Sequence, residues 1–135
     1  MDLMKAIEVS ASGMKAQGLR MRVIAENIAN SNSISNGEGD DPYRRKVVSF
    51  ANELDRQLGV EKVAVKGVET DQSDFGQKYD PGHPAADENG YVRTTNVNTL
   101  IETADMQEAN RTYEANVSAI EASKTMIMRT IDLLR

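Results

Sequence analysis

The residues able to do chemistry are few and scattered along the chain. His83 is the single histidine among 135 residues and sits between Gly82 and Pro84, in turn chemistry. A general base or a metal ligand needs convergent partners, and the chain holds no second His and no Cys to supply them. The missing Cys also removes thiol catalysis, disulfides and thiolate metal sites together. Asp71, Asp74, Asp80, Asp87 and Glu88 offer oxygens to Ca²⁺, but they do not keep the alternate spacing of an EF-hand loop. Solvated loop charges are the simpler account of them. Gly37-Glu38-Gly39 lacks the flanking strand and helix of a phosphate-binding loop. No catalytic, cofactor-binding or metal-ligating residue is therefore assigned, and no enzyme activity is expected.

Arg44-Arg45-Lys46 is a basic run in a chain of net charge −5. Such a balance gives no long-range attraction to a polyanion, so neither nucleic acid nor an anionic membrane is expected as a partner. The run reads instead as a charged edge strand that deters unwanted pairing, with a contact to acidic loops of a neighbour as an intermediate possibility. Acidic residues in Met1-Asp2-Leu3-Met4-Lys5-Ala6-Ile7-Glu8 interrupt the apolar run that a signal peptide needs. No apolar stretch approaches the roughly 20 residues of a membrane span, so direct membrane insertion is not expected either.

What must position these residues is mostly helix. Leu3 to Ala29 contains no Pro, and Ile7, Met14, Met21 and Ile28 lie seven apart. Met4, Ala11, Gly18 and Ala25 form a neighbouring row, small enough for another helix to approach closely. From about Asn98 to Leu134 the pattern returns, with Met106, Tyr113, Ile120, Ile127 and Leu134 seven apart, and Val117 and Ile131 four after Tyr113 and Ile127. Asn98 is a plausible N-cap and Glu102 suits the positive helix end. A strict seven-residue repeat implies a coiled-coil-like seam. Periodicity alone divides evenly between a seam with other chains and a helix pair inside one monomer.

Between the helices the pattern changes. Asn30 to Pro42 is a run of turn formers. Arg44 to Phe50 and Val60 to Val68 read as strands, and Asn52 to Leu58 is left open between a helical turn and a strand extension. Asn89-Gly90 before Tyr91-Val92-Arg93 is a hairpin-turn signal. The expected fold is α+β: long N- and C-terminal heptad helices pairing as a coiled-coil-like layer, with a small β-rich insert. Residues 1–30 with 97–135 would form an assembly domain, 31–42 a flexible loop and 43–96 the insert. With 39% hydrophobic but only 4% aromatic residues, the chain is poorly supplied for a self-sufficient core, and partners are expected to complete it.

The stretch Ser12 to Asn30, and above all its ending Ile24-Ala25-Glu26-Asn27-Ile28-Ala29-Asn30, resembles the signature shared by flagellar rod and hook proteins. Met106-Gln107-Glu108-Ala109-Asn110-Arg111-Thr112-Tyr113-Glu114-Ala115-Asn116 resembles the C-terminal helix of the same family. The short length, with Pro42-Tyr43-Arg44-Arg45-Lys46 and the block from Asp80 to Val92, points to one short member of it. The match is weakest from Asn52 to Gly76, and Thr95 stands where the family pattern has Pro.

The resemblance implies a structural, non-enzymatic subunit without cofactors in the periplasmic rod of the flagellar basal body. It implies export through the flagellar type III apparatus without a cleaved signal peptide. Its partners would be other rod proteins and further copies of itself in a helical assembly, with the membrane-embedded basal ring and the export gate. The expected assembly interface is Ile7, Met14, Met21, Ile24, Asn27, Ile28, Asn30, Met106, Tyr113, Asn116, Val117, Ile120, Ile127 and Ile131. Asn27, Asn30, Asn110 and Asn116 are either plain helix-surface residues or register-setting hydrogen-bonders in packed seams. The competing class of function is a helical adaptor or chaperone-like binding module with self-contained helices.

Overall fold

The computed structural model describes residues 2–37 and 39–135. Met1 of the opening stretch and Glu38 of the expected 31–42 loop lie outside the described residues. The element order is α1 (Leu3–Ala29), β1 (Lys46–Asp55), β2 (Val60–Thr70), β3 (Gly76–Tyr79), β4 (Tyr91–Thr94) and α2 (Thr99–Leu133). The expected α+β arrangement is present, with two terminal helices and a two-hairpin insert between them in sequence.

Local chemistry sets the helix limits. The Asp2 carboxylate accepts the Met4 N–H at 3.0 Å and so caps α1. At the other end the Asn30 N–H (3.1 Å) and side-chain amide (2.8 Å) both donate to the Glu26 carbonyl, which closes the last turn. Asn98 caps α2 as expected, its Oδ1 accepting from Leu100 at 3.0 Å and Ile101 at 3.4 Å. No helix among the described residues is long and apolar enough to cross a membrane.

Asn52 to Leu58 divides between the two: β1 runs on through Asn52 to Asp55, and Arg56 to Leu58 lie in the turn that follows. Asp55 builds that turn by accepting the Gln57 and Leu58 N–H groups on Oδ1 and the Gly59 N–H on its carbonyl. Gly59 there adopts φ +65°. β3 was not anticipated; it pairs antiparallel with β4 from Gly76↔Thr94 to Tyr79↔Tyr91. Asn89-Gly90 therefore closes a long loop from Asp80 rather than making a two-residue hairpin. Gly90 sits at φ +81°, where a Cβ would lie 2.9 Å from the Tyr79 ring, so only Gly fits.

The described chain divides into two compact units. Unit 1 comprises Met1–Met21, Val48–Gly67 and Gln107–Arg135. Here α1 and α2 run antiparallel, with Gly13 against Asn116 and Arg20 paired to Glu108 at 3.3 Å. Its buried residues are small: Ala16, Ala109 and Ser123. The hairpin is tied to α1 by Lys62, which reaches Glu8 at 3.1 Å and Asp55 at 2.8 Å, and by the Val63 N–H donating to Ser12 Oγ.

Unit 2 comprises Arg22–Val47 and Val68–Met106. Val23, Ile24, Ala85 and Val92 form its apolar interior, beside buried Asn27, Ser35, Thr95 and Glu102. Ser33 to Ser35 run along β4: Ile34 bridges Thr94, Ser35 N–H donates to the Arg93 carbonyl, and Thr95 N–H to the Ser33 carbonyl at 3.3 Å. That last bond explains Thr95 physically, since a Pro there would have no N–H to give.

Candidate functional site

A buried, connected set of polar side chains lies in unit 2, around Asn27. Its side chain is 1% exposed and makes four hydrogen bonds. Nδ2 donates to the Lys46 carbonyl at 2.8 Å and to Glu102 Oε2 at 3.0 Å. Oδ1 accepts from the Tyr43 hydroxyl and from the Lys46 N–H, each at 2.9 Å. Every donor and acceptor of the carboxamide is used, which is the condition for burying it cheaply.

Glu102 is 0% exposed, and its second oxygen accepts from Arg45 Nε. The same guanidinium reaches Asp71 at 3.5 Å and Asp105 at 3.4 Å. Burial pulls the Arg45 pKa down, but Glu102, then Asp71 and Asp105, outweigh it and hold it above the ordinary value. Burial raises the Tyr43 pKa, with Lys46 opposing and Glu26 and Glu102 adding to it, so its hydroxyl stays a donor to Asn27. The Asn96 carboxamide bridges strand ends, accepting the Arg45 N–H at 2.7 Å and donating to the Asp71 carbonyl at 3.0 Å.

The basic run is therefore not the deterrent edge it was expected to be. Arg45 is spent on buried Glu102, Lys46 pairs with Glu26 at 3.1 Å, and Arg44 lies over the Phe75 ring at 4.2 Å. His83 accepts the Ala85 N–H on Nδ1 within its own turn. Among the described residues no three His, Asp or Glu side chains come together as a metal would need.

Of the expected interface residues, Ile24 and Asn27 are covered by the chain itself. Ile7, Met14, Met21 and Ile28 on α1, and Asn30 just after it, are half-buried, as are Met106, Tyr113, Asn116, Val117, Ile120 and Ile127 on α2. Ile131 is exposed, together with Met126, Met128, Leu133 and Leu134. Glu102 and Arg45 were missed as partners. The available signal was Glu102 standing seven before buried Ala109, an acid on the packed side of a helix.

The three blocks that meet here are the end of α1, the Tyr43–Lys46 run and the start of α2. A family model described as flagella basal body rod protein matches residues 7–33. A second, described as flagellar basal body rod FlgEFG protein C-terminal, matches residues 88–133. Long terminal helices carrying these two signatures define the rod class of flagellar axial proteins. Over 133 residues the chain is 50% identical to the flagellar basal-body rod protein FlgC of Agrobacterium fabrum, covering 98% of this chain and 96% of that one. It is 38% identical to FlgC of Bacillus subtilis, covering 98% and 99%, and 35% identical to FlgC of Salmonella typhimurium, covering 98% of each. The chain belongs to the FlgC family of flagellar basal-body rod proteins and is a structural subunit of that rod.

Proposed function

We propose that the subunit joins the rod through faces of α1 and α2 that its own fold leaves open, and that it does no catalysis. The observation that carries this is the end of α2, where Leu133 is 86%, Leu134 83%, Met126 54% and Ile131 46% exposed. An apolar helix end of that kind is unfavourable in water and marks an interaction surface. The half-buried rows Ile7, Met14, Met21, Ile28 and Asn30, and Met106, Tyr113, Asn116, Val117, Ile120 and Ile127, extend the contact. Ile24 and Asn27 act from inside, holding α1 in place. The partners are other rod proteins and copies of this chain, with the membrane-embedded basal ring and export gate at the base. Contacts between non-equivalent patches that do not close into a ring propagate as a helix. The site of action is the periplasmic rod, reached through the flagellar type III channel. Helices whose stability rests on partners suit such transit, because they cost little to unfold.

Ile131→Asp tests this, since it places an unpaired charge in the contact while leaving the subunit's own interior untouched. Basal bodies purified from that strain should lack the subunit by mass spectrometry. Normal abundance would overturn the helix-face assignment.

A further inference from the structure

Asn30, Asn32, Asn36 and Asn89 each precede a glycine or a serine. Asn is a chemically labile residue, and such pairs are where it reacts with its own backbone. The next residue's nitrogen lies within reach of the Asn carboxamide carbon, and a small side chain does not hinder the approach. The nitrogen must give up its proton to attack, so an N–H held in a hydrogen bond is protected. Folding therefore decides which of the four reacts.

Three of them are held. The Ser31 N–H donates to the Ile28 carbonyl at 3.1 Å and the Ser33 N–H to the Asn30 carbonyl at 3.0 Å. The Gly90 N–H donates to the Asp87 carbonyl at 3.0 Å, and Asp87 Oδ1 accepts the Asn89 and Tyr91 N–H groups, each at 2.9 Å. Gly90 is buried, and its own carbonyl accepts the Asp80 N–H at 2.9 Å. Asn36–Gly37 differs. Asn36 is exposed, and the Gly37 N–H has no acceptor among the described residues.

We propose that Asn36–Gly37 is a site of spontaneous deamidation, and that the turn built by Asp87 protects Asn89–Gly90 from the same reaction. The Gly37 nitrogen bonds to the Asn36 Cγ and gives up its proton, while the Cγ–Nδ2 bond breaks and ammonia leaves. Water then opens the cyclic succinimide at either carbonyl. One opening yields aspartate at position 36, the other isoaspartate, with the backbone rerouted through Cβ. Either product adds a negative charge to a run that already holds Asp40 and Asp41. The proposal does not depend on the helix faces described above.

Peptide mass spectrometry of the purified full chain, incubated at neutral pH, reads both sites, with protein isoaspartyl methyltransferase as a probe for the rerouted product. Freeing the Gly90 N–H costs at least one hydrogen bond, so conversion at Asn89 should be slower than at Asn36 by about ten-fold or more. In urea the turn is lost and the two rates should converge. Asp87→Ala removes the carboxylate that holds Asn89 and Tyr91, and should speed conversion at Asn89 alone. Gly37→Ala should slow conversion at Asn36, since the added methyl crowds the attacking nitrogen and meets the Asp40 carboxylate at 3.2 Å. Equal conversion at the two sites in the folded chain, no conversion at Asn36, or a difference that persists in urea would overturn the proposal.

Discussion

Asn27 and Glu102 meet at 3.0 Å, one at the end of α1 and the other at the start of α2, with 1% and 0% of their surfaces exposed. A carboxylate without solvent is tolerable only with its partners in place, and Asn27 and Arg45 take its two oxygens. The pair therefore fixes which residue of α1 lies beside which residue of α2 in unit 2.

Glu102→Ala leaves Arg45 and the Asn27 amide facing an empty site. Removing one member of a buried pair costs about 3–5 kcal/mol, so the urea midpoint of the purified protein should fall sharply. Asn27→Leu should be comparably damaging, since it strands the Lys46 N–H and C=O and the Tyr43 hydroxyl. Midpoints unchanged from wild type would contradict the assignment.

Gly13 and Gly18 are predicted to behave oppositely. A Cβ at Gly13 would lie 2.9 Å from the Asn116 side chain, whereas at Gly18 it meets nothing within 4 Å. Gly18→Ala should stabilise the free subunit by up to about 1 kcal/mol through helix propensity. Gly13→Ala should lose that gain and cost about 1–3 kcal/mol by overpacking. Thermal melts of both variants, with Gly13→Ala/Asn116→Ala restoring stability, check the contact.

Acid should act through Asp71. The Ser73 N–H and hydroxyl, and then Arg45, hold its carboxyl below the ordinary value of 3.8 against the pull of burial. A depressed native pKa gives stability that is fully present above the ordinary value and is lost as pH falls through the lowered one. Asp71→Asn should therefore be less stable at neutral pH and show a shallower fall below about pH 3.8. Denaturation midpoints measured from pH 7 down to pH 2 would show it, and parallel curves would contradict it.

Much of the scaffold was legible in the sequence. An uninterrupted run from Leu3 to Ala29, an Asn98 cap and seven-residue rows were enough to place both helices within a residue or two. Asn52 to Leu58 was not decidable, because its strand state depends on pairing with Val60 onward. The polar cluster was hidden for a different reason. Arg45, Asp71 and Glu102 are each ordinary surface residues by type, and only folding brings Arg45 onto a carboxylate 57 positions away. The heptad rows do not mark the interior of the chain itself: the buried helix positions in unit 1 are Ala16, Ala109 and Ser123, while the larger row residues stay half-open. Small residues give little hydrophobic signal yet permit the closest helix approach.

The central claim is that the chain's own fold covers Ile24 and Asn27 while the outer rows of the helices meet neighbouring subunits. Imaging an assembled basal body at side-chain resolution tests it most directly. Ile7, Met14, Met21 and Ile28, with Tyr113, Ile120, Ile127 and Ile131, should lie against other subunits, and Asn27 should still bind Glu102 of its own chain. Those rows facing open solvent, or Asn27 bonded across a subunit boundary, would contradict the account.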